Sequence, residues 1–89
     1  MIERELTVAN RLGLHARATA RLVQVLSAFR SDATLVAKGR EVNAKSIMGV
    51  MLLAAAHGTT VLLRLEGEDE EAAMEAAAAL FERKFDEGG

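Results

Sequence analysis

The stretch Gly13-Leu14-His15-Ala16-Arg17-Ala18-Thr19-Ala20 carries the side chains best suited to chemistry in this chain. A histidine stands at the end of a loop, and an arginine follows two residues later in the first turn of an expected helix. With His15 at the N-cap, the free N–H groups of Ala16, Arg17 and Ala18 point toward its ring, and the helix dipole adds about half a positive charge there. Such a place suits an anion, and a phosphoryl group on the ring would be cradled. Arg17 supplies a planar guanidinium able to bond phosphate oxygens, and Arg11 and Arg21 raise the local potential. The same charges keep one ring nitrogen free as a nucleophile near neutral pH. Residue types alone leave a second reading open, in which His15 is a helix cap or a solvated side chain and nothing more.

Ser46 is the other candidate, because it precedes a segment, residues 47–56, that is apolar almost all round. Serine is a favoured N-cap, and on residue type alone Ser46 is a cap. Ile47, Met48 and Met51 suit a core. A ten-residue helix apolar on every side cannot bury all of itself in so small a domain, however, so part of it is expected to form an exposed docking patch beside His15. Methionine fits a surface that must accept several partners. His57 reads as a favourable charge at the C-terminal end of that helix, and Glu66 to Glu71 as a solvated strand end and helix start.

These residues must be positioned by the elements around them. Residues 2–8 alternate, with Ile2, Leu6 and Val8 on one face and Arg4 breaking the pattern, as in a half-buried strand. Residues 16–29 place Ala18, Leu22, Val25, Leu26 and Phe29 at helical spacing, with Arg17, Arg21 and Gln24 along a wet flank. Two short strands, 33–37 and 40–43, are joined by Lys38-Gly39, the spacing of a tight hairpin. A short helix follows Ser46 and stops near Gly58, and residues 60–66 alternate as a fourth strand. The last helix, 69–85, puts Met74, Ala77, Ala78, Phe81 and Phe85 on one face, with Glu70 and Glu71 in its first turn and Arg83 and Lys84 in its last. The order βαββαβα implies an α+β open-faced sandwich: a four-stranded antiparallel sheet with three helices on one face.

Composition narrows the functions such a fold could serve. The chain has 89 residues, which leaves room for a single domain, 1–89, with a thin core and no large catalytic cleft. Absence of cysteine removes disulfides, thiol nucleophiles and Cys-ligated metals, and two distant histidines make a poor ligand set, so no metal site is expected. A net charge of −2, with three phenylalanines as the only aromatics and none in an expected strand, argues against nucleic-acid binding. The apolar run at 47–56 is too short to span a membrane and the start is charged rather than signal-like, so a cytoplasmic protein without membrane insertion is expected. Nor do paired carboxylates or a Gly-rich nucleotide loop suggest a free-standing enzyme.

Two signatures carry a family resemblance that spans essentially the whole chain. Gly13 to Ala20, GLHARATA, is similar to the active-site motif of the histidine-containing phosphocarrier (HPr) family of the bacterial phosphoenolpyruvate-dependent sugar phosphotransferase system. Val42 to Ala55, VNAKSIMGVMLLAA, is similar to the same family's regulatory-serine motif. The resemblance implies that His15 accepts phosphate from phosphorylated enzyme I and passes it to enzyme IIA domains, with Arg17 assisting. It also implies that Ser46 is a target of an ATP-dependent HPr kinase/phosphorylase, that no cofactor takes part, and that the protein is a monomeric phosphorylated intermediate. The chain departs from the family pattern at Ala18, where proline is usual, and at Gln24, Ser27 and Gly49, which are basic in some members. A thinner basic ring makes partner contact through Gln24, Ile47, Met48 and Met51 lean on apolar surface. The nitrogen-related branch of the phosphotransferase system, whose carrier shares fold and histidine, is the alternative.

Overall fold

A computed structural model describes residues 1–87; the terminal Gly88 and Gly89 lie outside the described residues. Strands β1 (Ile2–Thr7), β2 (Asp32–Ala37), β3 (Arg40–Asn43) and β4 (Thr60–Glu66) form one antiparallel sheet in the order β1-β4-β2-β3. Alternation sets the register. Leu6 lies opposite Val61, and Leu35 opposite Leu63, so the apolar set of each strand reaches the same buried face. Helices α1 (Ala16–Ser27), α2 (Ile47–Leu52) and α3 (Glu70–Glu82) complete the expected βαββαβα sandwich. Between sheet and helices lies one core, including Leu22 and Leu26 of α1, Val50 of α2, and Ala77 and Leu80 of α3. On the open face, Arg64 of β4 bridges Glu3 and Glu41 from strands on either side, at 2.8 and 3.3 Å.

The β2–β3 connection is the expected two-residue hairpin. Lys38 and Gly39 both have positive φ, 54° and 75°, as a type I′ turn requires. At the far end of α1, Asp69 accepts hydrogen bonds from the N–H groups of Arg30 and Ser31 and from the Ser31 hydroxyl. These bonds hold its carboxyl below the usual carboxylate range, the Ser31 hydroxyl contributing most. They also pin the α1–β2 junction to the start of α3.

All three helices end earlier than their apolar patterns suggest: α1 stops at Ser27 rather than at residue 29, where the N–H groups of Ala28 and Phe29 turn back to the Val25 and Leu26 carbonyls. Helix α2 stops at Leu52 instead of running to residue 56. Its last turn tightens through i to i+3 bonds, Leu53 to Val50 and Ala54 to Met51, and Ala54 then takes a positive φ of 50°. His57 therefore lies five residues beyond the helix, too far to act on its dipole. Helix α3 ends at Glu82, so neither Arg83 nor Lys84 belongs to its last turn, and Arg83 instead pairs with Asp86 at 2.9 Å. Lys84, Phe85 and Asp86 form a single turn with φ of 54°, 56° and 60°. Left-handed backbone is unfavourable for residues with a Cβ. It is nevertheless what turns Phe85 inward, fully buried with its ring 4.8 Å from that of Phe81.

Candidate functional site

The loop before α1 is built to hold the His15 ring in place. Gly13 has φ +70° and packs so tightly that a Cβ there would lie 2.7 Å from the Ala55 carbonyl oxygen. Only glycine fits such a position. Leu14 N–H donates to that same carbonyl at 2.8 Å, which laces the loop to the segment after α2. His15 is then the N-cap of α1, in extended backbone, and its Nδ1 accepts the N–H of Arg17 at 3.2 Å. Thr19, wholly buried, donates from its hydroxyl to the Leu14 carbonyl and locks the first turn from inside.

The other ring nitrogen meets a residue that nothing in the local sequence announces. Glu87 follows the left-handed turn and places Oε2 2.6 Å from His15 Nε2. Its Oε1 accepts from Asn10 Nδ2 at 2.9 Å, and its side chain is only 9% exposed. The Asn10 bond is the main reason that the Glu87 carboxyl stays below its ordinary range; contact with His15 and the charges of His15 and Arg17 add to it, against the cost of burial. These contacts fix the ring's tautomer. Nδ1 faces an N–H and must offer a lone pair, whereas Nε2 faces a carboxylate and must carry the proton. Surrounding arginines, expected from the sequence to keep one nitrogen free, are thus secondary to hydrogen bonds on both sides of the ring.

Arg17 is exposed beside the ring, with its side chain in no hydrogen bond or ion pair among the described residues. Arg21 behaves differently. Its guanidinium donates to the Phe85 carbonyl, which makes it a strut under the turn that delivers Glu87. Arg11 is exposed in the loop. The start of α1 is therefore bordered by Nδ1, the first-turn N–H groups and the Arg17 guanidinium.

Ser46 caps α2, its hydroxyl accepting the Gly49 N–H at 3.1 Å. It does not touch the histidine. Lys45 stretches to the Phe29 carbonyl just past the end of α1, at 2.8 Å, while Ala55 at the other end of α2 meets the loop leading to His15. The two sites thus lie toward opposite ends of α2. Exposed apolar surface covers the span between them: Ile47 and Met51 are partly open and Met48 is 79% exposed. Leu52, 64% exposed, and Leu12, 68% exposed, enlarge the apolar surface beyond the residues singled out from sequence. Gln24 is exposed on α1.

A small α+β sandwich thus presents, at a helix N-terminus, a histidine held by hydrogen bonds on both ring nitrogens. Residues 2–83 match the family described as PTS HPr component phosphorylation site. Phosphocarrier protein HPr of Xylella fastidiosa (strain Temecula1) is 66% identical over 87 residues, covering 98% of each chain. The crystal structure of HPr-C-His from Thermoanaerobacter tengcongensis superposes with a TM-score of 0.94 at 45% identity, again covering 98% of each. Phosphocarrier protein NPr of Shewanella violacea is 40% identical over 97% of this chain and 94% of its own length. The chain belongs to the HPr family of phosphotransferase-system phosphocarriers.

Proposed function

We propose that the chain, acting as one domain over residues 1–89, takes a phosphoryl group on His15 Nδ1 from phosphorylated enzyme I and gives it to enzyme IIA domains. The observation that carries this reading is the pairing of donors and acceptors about the ring: N–H of Arg17 on Nδ1, carboxylate of Glu87 on Nε2. In the transfer, the Nδ1 lone pair forms the new bond to phosphorus while the bond from phosphorus to the donor breaks and its electrons return to the donor. The Nε2 proton stays in place. Positive charge that develops on the ring is met by Glu87, as a buried carboxylate does for a catalytic histidine elsewhere. The N–H of Arg17, released from Nδ1, and the Arg17 guanidinium are then available to phosphoryl oxygens, which the helix N-terminus also favours. The reverse transfer uses the same contacts.

Gln24, Ile47, Met48 and Met51 are assigned to partner docking, and Ser46 to regulation by an HPr kinase/phosphorylase. A phosphate on Ser46 would sit where the α2 N–H groups favour it, yet would charge the edge of an apolar surface that must be desolvated when a partner binds. The protein is assigned to the cytoplasm as a monomer. Greater identity to an HPr than to an NPr relative favours the sugar branch over the nitrogen-related one. The test is incubation with phosphoenolpyruvate and each type of enzyme I, followed by mass spectrometry at neutral and acid pH. An acid-labile phosphate, acquired faster from the sugar-branch enzyme, is the expected result; no labelling by either would overturn the reading.

A further inference from the structure

We propose that Asn10 is a positioning residue for His15: by donating to Glu87 it holds that carboxylate on Nε2 and so determines that Nδ1 is the free nitrogen. The inference rests on the reading of His15 as the phosphoryl acceptor and extends it to a residue five positions upstream.

Asn10 is wholly buried, and its Nδ2 forks between the Gly13 carbonyl at 2.7 Å and Glu87 Oε1 at 2.9 Å. Its backbone carbonyl also accepts the Gly13 N–H, and the Gly13 carbonyl accepts the His15 N–H, so one residue ties loop and carboxylate together. Its Oδ1 is buried with no hydrogen-bond partner among the described residues. Burying an unpaired carbonyl oxygen is unfavourable, and an apolar side chain would fill the place without that cost. What an apolar side chain lacks is the donor forked between the Gly13 carbonyl, which an N–H could serve from the backbone, and Glu87, which has no other donor besides His15 among the described residues.

Glu87 needs such a donor. It emerges from a turn of left-handed residues, and its own backbone N–H reaches only back to Lys84. The Glu87 carboxylate has two groups facing it, Asn10 Nδ2–H and His15 Nε2–H, and both must be donors. Without Asn10, a side chain with three rotatable bonds is free to swing toward the guanidinium of Arg17, whose charge it already senses. That move would take the carboxylate off the ring and occupy the arginine meant for the phosphoryl group. A nucleophile, a partner on its second nitrogen and a third group orienting that partner is a recurrent arrangement for activated side chains.

The test is nitrogen NMR of the His15 ring in the free, full-length protein at alkaline pH, where an imidazole is neutral and its tautomers are read with no partner present. Wild type is expected to hold the Nε2–H form. Asn10→Leu should lose that preference and show both tautomers in exchange, because nothing then holds the carboxylate on Nε2. Glu87→Gln should do the same, because an amide cannot accept from both donors. Asn10→Ala, which deletes the same donor without the bulk of leucine, should shift the tautomer in the same direction and decides the matter if Asn10→Leu does not fold. An unchanged tautomer in folded Asn10→Leu or Asn10→Ala, or in Glu87→Gln, would overturn the proposal. Phosphorylation of wild type by enzyme I, run in parallel, tests the carrier reading separately.

Discussion

Replacing Phe85 by alanine should open the C-terminal turn without unfolding the domain. Truncating a buried phenylalanine ordinarily costs about 3–5 kcal/mol. Here the ring is the main apolar anchor of a turn that is expensive to form. Three consecutive residues with a Cβ at positive φ cost roughly 1–2 kcal/mol each, and ordering each residue costs a similar amount in chain entropy. The bonds from Arg21 to the Phe85 carbonyl and from Asn10 and His15 to Glu87 return on the order of 0.5–3 kcal/mol apiece. With the ring present these quantities nearly balance in favour of closure; without it they do not. Phe85→Ala should therefore release residues 84–87, and release of strain should limit the loss of global stability to about 2 kcal/mol, less than the full truncation figure. Urea melts give the global change, and hydrogen exchange at the Glu87 amide, bonded in the native state to the Lys84 carbonyl, reports the turn. A loss of about 4 kcal/mol or more, or an amide as protected as in wild type, would refute the argument.

Gly13→Ala should destabilise the protein by several kcal/mol, on the order of 2–4, since the new Cβ meets the Ala55 carbonyl while the backbone stays left-handed; a melt within about 0.5 kcal/mol of wild type would contradict the packing. Asp69→Asn should flatten the acid limb of the stability curve. The Asp69 carboxyl is held below its unfolded value, so its contribution is present above that value and is lost as pH falls through the lowered one; urea melts across the acid range check this, and equal slopes for both proteins would count against it. Ser46→Asp should melt no lower than wild type, because the aspartate can cap α2 and face its dipole, while binding to enzyme I weakens. Calorimetric titration with enzyme I and thermal melting together decide it, and equal affinity would show that Ser46 is a cap and not a switch.

The loop-to-helix site was legible because its parts are local: His15, Arg17 and the glycine at the turn stand within five residues, and periodicity located α1 behind them. The sandwich was legible for the same reason, since alternation in Thr60–Glu66 and the Lys38-Gly39 turn each follow from neighbouring residues. Apolar pattern misjudged where helices stop. Nothing in Ala54-Ala55-Ala56 forbids a helix, and α2 ends because the Ala55 carbonyl is taken by Leu14 from a distant loop. Phe85 sits at helical spacing from Phe81 and reaches the core by a left-handed turn instead, which leaves Arg83 and Lys84 outside α3. Glu87 and Asn10 escaped sequence reading because their meaning lies in a contact 77 residues apart along the chain. A buried asparagine just before the histidine loop was the one local hint, and polarity at that position suggests a turn equally well.

If Nδ1 of His15 carries the phosphoryl group, protein labelled with nitrogen-15 in histidine, phosphorylated by phosphoenolpyruvate and enzyme I, should report it by phosphorus and nitrogen NMR without acid exposure. One phosphorus resonance coupled to Nδ1 of His15 is expected, with the Nε2 proton still present and no signal from the His15→Ala variant. Coupling to Nε2, or a phosphoryl group retained by His15→Ala, would contradict it.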